Sequence, residues 1–300
     1  MEKVIMELNN EILVLPEILS ASGFSLETHL FRYRNDNLIR NDDGSFEYGY
    51  GARELLESII WHSCVGALND PFEVYFQQNK NELYELTDEE LFFYWSNSLE
   101  KNKFEQKIMS DFFSDNKDDI RSQLTSNIGS YIHIFKEIFR KHAAIACFTT
   151  CCDSRLMWGY YCSGLKGFCL IYNTERINRI LPQVSKVIYS KERPTLGVMS
   201  YFIRKMRGES VFAIESFAKY KHEEWSHENE YRSFLMLDDE NDIVSGGVSV
   251  QLNESCIDGV IIGEECNEQT KRAIIGYSKD KGIKVFHASA DLDIFRVYIS

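Results

Sequence analysis

Three stretches of the chain are apolar almost without interruption: AAIACFTT (143–150), GFCLIYN (167–173) and IDGVIIG (257–263). Runs of this length predict short buried strands. Elsewhere the pattern alternates. In THLFRYR (28–34), Leu30, Arg32 and Arg34 oppose Phe31 and Tyr33, and NEYRSFLML (229–237) spaces Tyr, Phe and Leu with polar residues. Both read as strands with two different faces, as do KVFHA (284–288) and IFRVYI (294–299). Helical spacing dominates from about Glu82 to Lys141, where aromatic, Leu and Ile residues recur every three or four positions. Further helices are predicted over ARELLESIIWHSCVGAL (52–68), DSRLMWGYYCS (153–163, with Asp153 or Ser154 as N-cap), ESFAKYKHEEWS (215–226) and NEQTKRAIIGYSKDKG (267–282). The elements do not keep a βαβ rhythm. The pattern predicts an α+β fold: a strand-rich core with a helical block inserted over about residues 78–141.

Only 4 prolines occur in 300 residues, and no Ser/Gly-rich or low-complexity tract interrupts the chain. Residues 1–300 are therefore expected to form a single domain. The N-terminus MEKVIMELNNEILVLPEIL is acidic and its apolar runs are short, unlike a secretory signal. No segment approaches the roughly 20 apolar residues that span a bilayer. A cytoplasmic protein without membrane partners is expected.

The formal net charge of −13 disfavours broad binding to nucleic acid or anionic membranes. One region departs from it. Between Arg176 and Arg207 there are eight Lys/Arg residues against the single acid Glu192. This stretch reads either as a solvated helix face or as a phosphate-facing patch that receives a nucleic-acid or protein partner. The 8 cysteines show no CxxC pair, and the 7 histidines show no metal-site spacing, so structural thiols and no metal are expected. No phosphate-binding glycine loop and no GxSxG elbow is present.

The segment HEEWSHENEYRSFL (222–235) sets Glu228, Glu230 and Arg232 at alternating positions before an apolar run. Residues two apart on a strand share a face, so the three charges line either a solvated edge or the wall of a cleft. In NDPFE (69–73), Asn69 and Asp70 before a proline build a turn; Asp70 is also a candidate contact for a ligand or for Arg32. Trp158 and Tyr161 lie three apart on one helix, where they serve either as core or as a stacking surface.

Taken in order, LFRYR, NDPFE, CFTT with DSRLMWGYY and KGFCLIY, WSHENEYR, and the terminal IDGVIIG and KVFHA resemble a bacterial family known as domain of unknown function 2971. The resemblance spans roughly residues 28–299 and is loosest over 80–140. A second likeness is to ADP-ribosyltransferases, which use an Arg on a first strand, a Ser/Thr-rich strand end and a later Glu-x-Glu; this chain has Arg32, Thr149 with Thr150, and Glu228–Asn229–Glu230. That likeness implies a core of the ADP-ribosyltransferase type and NAD as substrate. It implies that Glu230 holds the ribose and its developing positive charge, and that Glu228 activates the acceptor. It further implies a nucleotide site formed by Arg32, Tyr33, Asp70, Thr149, Trp158, Tyr161 and Arg232. CFTT departs from the Ser-Thr-Ser of the serine-type enzymes, and NEYRSFL fits the histidine–tyrosine–glutamate branch equally well, which leaves the role of Arg32 open. By the same likeness the chain is a toxin or antiviral defence effector. The competing reading is a non-enzymatic sensor that binds a nucleotide, nucleic acid or protein through residues 176–207.

Overall fold

The computed structural model describes residues 6–8, 11–36, 38–43, 45–74, 76–79, 81–98, 106–182, 184–209, 214–237, 246–253 and 255–300. Its centre is a ten-stranded mixed sheet. In chain order the strands are β1 (His29–Arg34), β2 (Ile59–Cys64), β3 (Ala143–Thr149), β4 (Phe168–Asn173), β5 (Ser185–Lys186), β6 (Glu230–Met236), β7 (Gly247–Gln251), β8 (Ile257–Gly263), β9 (Lys284–Asp291) and β10 (Arg296–Ile299). The helices considered below are α1 (Tyr50–Leu56), α2 (Glu82–Glu85), α3 (Asp88–Ser98), α4 (Gln106–His142), α5 (Arg155–Tyr161), α6 (Thr174–Ile180), α7 (Val198–Met206) and α8 (Glu268–Lys281). No helix among the described residues is long and apolar enough to cross a membrane.

The spatial strand order is β5-β6-β3-β1-β4-β8-β9-β10. Among the described pairs of this sheet only β8 and β9 run in parallel, and α8 makes the crossover that a parallel pair needs. Asn267 caps α8 by accepting from the Gln269 and Thr270 amides, and Gly282 ends it at φ +71°. The uninterrupted apolar runs have a direct cause: the sheet is covered on both sides. Phe168, Leu170 and Tyr172 of β4 join Ala52 and Leu55 of α1, Ile177 of α6 and Ile274 of α8 in one core. The alternate residues Cys169 and Ile171 join Phe31, Tyr33, Met157 and Trp158 in the other.

The helical block has its own core of Leu83, Leu91, Tyr94, Phe113, Ile120 and Ile128. Met199 and Ile203 of α7 complete it, so a helix remote in sequence is recruited to the inserted segment. The 37-residue α4, about 55 Å long, ties the block to the sheet through Phe135 and Phe139, which pack with Ile145 of β3 and Phe217.

Two predicted helices are not formed as such. Over 52–68, α1 stops at Leu56, Ser58 turns the chain at φ +53°, and IIWHSC becomes β2. Residues 59–63, with Ile59, Ile60 and Trp61 among them, pair with β7, and Ser63 and Cys64 pair with the start of β3. Over 215–226, two 3-10 turns (Ile214–Lys219 and Glu223–Glu228) flank a short strand, Tyr220–His222, that pairs in parallel with Ile188–Ser190. Tertiary pairing overrides local helix propensity in both places.

The sheet contains a fork. One edge of β3 pairs with β1 at Phe31↔Thr149 and with β2 at Ser63↔Ile145 and Cys64↔Ala144. Between these contacts the strands separate, and the Arg32 guanidinium fills the gap. It donates to the carbonyls of Cys147 on β3 (2.8 Å) and Trp61 on β2, and makes a bidentate pair with Glu54 of α1 (3.0 and 3.1 Å). Glu54 is fully buried. It also accepts from Arg34, from the Trp61 amide (2.8 Å) and from the Tyr172 hydroxyl.

Removing one member of such a buried network leaves unpaired charge behind. Glu54→Gln is expected to lower stability by about 3–5 kcal/mol in urea unfolding. Breaking the exposed Arg53–Glu57 pair (2.8 Å) should change it by less than about 1 kcal/mol. Equal effects of the two changes would show that the fork does not depend on Glu54.

Candidate functional site

A cavity of about 220 Å³ lies at the fork. Of the residues nominated from sequence, Arg32, Tyr33, Asp70, Thr149, Tyr161, Glu228 and Glu230 line it; Trp158 and Arg232 do not.

The Glu-x-Glu segment reaches the cavity by a different backbone from the one its alternation suggests. Glu228 ends a 3-10 turn, Asn229 is left-handed (φ 44°, ψ 51°), and the strand begins only at Glu230. Asn is among the few residues that adopt this conformation readily, and its side-chain amide donates to Cys151 Sγ at 3.3 Å. The turn still brings the two carboxylates together. Lys221 Nζ donates to Glu228 Oε2 at 2.5 Å and to Glu230 Oε2 at 2.9 Å.

The cluster extends further. Glu73 Oε1 is 3.3 Å from Lys221 Nζ. Arg232 donates to both Glu230 oxygens (2.7 and 2.9 Å), to Glu73 (2.9 Å) and to the Ala218 carbonyl (2.7 Å). The Tyr161 hydroxyl donates to Glu228 Oε1 at 2.6 Å, and the Thr149 hydroxyl donates to the Glu228 carbonyl. The Tyr189 hydroxyl accepts from the Glu230 amide at 2.9 Å. Three carboxylates facing two fixed cations leave the cluster one formal negative charge in excess.

Its two central carboxylates differ in proton affinity. Burial raises Glu228, and the neighbouring Glu230 adds to this against the pull of Lys221. Burial also acts upward on Glu230, but Arg232 and Lys221 overcome it and hold Glu230 at about 2. Burial, reinforced by Glu228, raises the Tyr161 phenol, so it remains a donor. Burial acts downward on Lys221, but Glu230, Glu73 and Glu228 outweigh it and keep the ammonium charged.

The opposite face of the sheet carries positive charge. Register pairs Phe31, Thr149 and Glu230 side by side, so their side chains share one face. Arg32 and Arg34 leave β1 on the other face, and the Arg32 guanidinium lies 5.2 Å from the Phe148 ring. Arg32 therefore does not stand beside Glu230, and its partner is neither Glu228, Glu230 nor Asp70 but Glu54. Arg34 also clamps Glu54, through Nε at 2.7 Å and through Nη2. It lines the cavity with a fifth of its side chain exposed. Two guanidiniums on one carboxylate leave a formal positive charge there.

Trp158 is core: it is fully buried, its indole N–H donates to the Cys152 carbonyl at 2.9 Å, and its ring meets Tyr33 edge-on. Asp70 combines its two readings, accepting from the Phe72 amide at 2.8 Å within the turn while lining the cavity. Glu54, Glu73, Lys221 and Arg34 are not among the residues that the sequence pattern nominates for the site. Arg34 alone carried a signal, as the next residue on the Arg32 face. Among the described residues no group of three or more His, Cys, Asp or Glu side chains is arranged to hold a metal ion. The basic residues of 176–207 are distributed. Arg176 bonds the Ser255 carbonyl, Arg179 pairs with Glu175, Lys191 with Glu223, and the Arg207 guanidinium lies over Phe93.

The model of a family described as a protein of unknown function (DUF2971) matches residues 157–233. This quarter of the chain holds Tyr161, Lys221, Glu228, Glu230 and Arg232, and the match supports the likeness to that family seen in the sequence motifs. No curated protein and no solved structure matches the chain.

The opposed shifts define opposite pH windows. Glu230, lowered to about 2 from 4.5, contributes stability that is present above its ordinary value and lost as pH falls toward 2; the shift is worth about 3 kcal/mol. Glu228, raised, contributes stability that is complete below its ordinary value and lost as pH rises through its raised one. In urea unfolding, the deficit of Glu230→Gln should shrink on acidification from pH 6 to 3, whereas Glu228→Gln should compare best with wild type at alkaline pH. The same trend in both variants would contradict the assignment.

Proposed function

We propose that the chain transfers ADP-ribose from NAD, with the Glu228–Lys221–Glu230 cluster as the reacting end of the site. The observation that carries this reading is the pair of carboxylates on one ammonium, with proton affinities driven apart. Pairs separated in this way mark acid–base and electrostatic roles. Breaking the bond between nicotinamide and ribose sends the electron pair to the ring nitrogen and builds positive charge on the sugar. Glu230, held ionised, stabilises that charge. An acceptor lone pair then bonds to C1′, and its proton passes to Glu228, whose raised affinity suits a proton acceptor.

The charge layout supports the same substrate. The excess negative charge of the cluster favours the cationic nicotinamide end. Arg34, rather than the saturated Arg32, offers a guanidinium to phosphate across the cavity. The wider role, by resemblance, is that of a toxin or antiviral defence effector.

Incubation of the purified protein with NAD should release nicotinamide, followed by chromatography. Glu230→Gln, assayed where circular dichroism shows it folded, should slow release about 100-fold or more. Absence of release with any lysate, together with absence of NAD binding by calorimetry, would remove the proposal. Tight NAD binding without release would place the chain among non-catalytic nucleotide sensors.

A further inference from the structure

A second cavity, of about 500 Å³, adjoins the first and shares Asn69, Asp70, Glu73, Lys221 and Trp225 with it. Its size is that of a small-molecule site. None of its lining residues comes from β1. It therefore meets the first cavity at the carboxylate cluster and not at Arg34.

The walls of this cavity suit one ligand class. Phe72, 65% exposed, stands on the 69–73 turn, a costly position for a large apolar ring. The Arg193 guanidinium lies 5.4 Å from its centroid. The guanidinium covers one face of the ring, and the exposed remainder is a stacking surface for a base next to a donor for its phosphate. Trp225 forms the wall toward the cluster, with Lys221 Nζ 4.9 Å above its ring.

We propose that the second cavity takes a free nucleotide, a planar base carrying a phosphate, and that this nucleotide is the acceptor of the transfer. The acceptor role rests on the ADP-ribosyl-transfer reading; the binding does not. With the donor phosphates directed to Arg34, the second cavity opens at the reacting carbon, where an acceptor has to enter. The chemistry balances: an acceptor O–H or N–H bonds through its lone pair to C1′ as the nicotinamide bond breaks, and its proton goes to Glu228. The net charge of −13 disfavours a polyanionic strand far more than a single nucleotide.

The test is calorimetry on the full chain with the 5′-monophosphates of adenosine, guanosine, cytidine and uridine, with and without saturating NAD. Adenosine and inorganic phosphate serve as the two halves. At least one monophosphate is expected to bind in both conditions, more tightly than either half. Phe72→Ala and Arg193→Ala should each weaken it about tenfold. Phe72 is exposed, so its truncation should leave the fold intact, which a melting curve checks.

The nucleotide site is overturned if no monophosphate binds at about 1 mM, or if neither substitution changes affinity more than about twofold. Tighter binding of a short RNA than of any monomer also overturns it. Displacement of the nucleotide by NAD would identify the donor's own adenylate half and overturn the acceptor assignment. Nicotinamide release from NAD alone reads the first cavity only. If that fails while monophosphates still bind, the transfer reading falls and the nucleotide site stands.

Discussion

At the fork in the sheet the Arg32 guanidinium takes the place of a facing strand. Where β1 and β2 leave the shared edge of β3, the carbonyls of Cys147 and Trp61 lie in the gap with no facing strand, and a buried polar group without a partner costs about 1–3 kcal/mol. The guanidinium supplies donors to both carbonyls from one planar group. A charge carried into the sheet needs a counter-charge, and Glu54 provides it from α1. Glu54 in turn binds the Trp61 amide, so a single carboxylate fixes the helix, the diverging strand and the fork. The cavity lies at this gap, with Arg32, Ser63 and Cys147 in its lining.

That arrangement also explains the polarity of the site. A cavity at a sheet fork touches both faces of the sheet, and alternation along each strand gives the faces different residues. One face presents two guanidiniums on one carboxylate, and the other presents three carboxylates on two cations. Buried ion clusters are weak evidence of stability, because apolar packing of the same volume often does as well or better. Opposite excess charges at a cavity suit a ligand that is itself bipolar, as is the nicotinamide nucleotide proposed above, with its pyridinium and phosphates.

The connection between sheet and helical block determines how the cluster is assembled. Glu73 arrives from the turn that follows β2, and Lys221 from the short strand that pairs with Ile188–Ser190. Glu228 and Glu230 come from the turn and strand that pair with β3. The turn carrying Glu73 and the segment carrying Glu228 and Glu230 converge on the Lys221 ammonium, so the cluster is assembled from three chain segments.

Much of the architecture was legible in the residues. The apolar runs at 143–150, 167–173 and 257–263 identified central strands, because only a strand covered on both faces can be apolar at every position. Of the two N-cap candidates Asp153 and Ser154, Ser154 starts α5, its hydroxyl accepting from the Met157 amide. Glu228, Glu230 and Tyr161 could be nominated for the site by residue type and spacing. Which charges would meet was not written locally. Arg32 faces away from Glu230 because the Phe31–Thr149–Glu230 register sets the faces across three strands that are distant in sequence. Lys221 and Glu73 carried no local signal, since an ammonium in a helix-like stretch and a carboxylate after a proline turn usually point into water. Only tertiary pairing, which turned 220–222 into a strand and left Asn229 in a left-handed bend, could bury them against Glu228 and Glu230. Sequence determined which segments pair with which periodicity; the register between remote strands decided the electrostatics, because a charge's energy depends on what lies within a few ångströms of it.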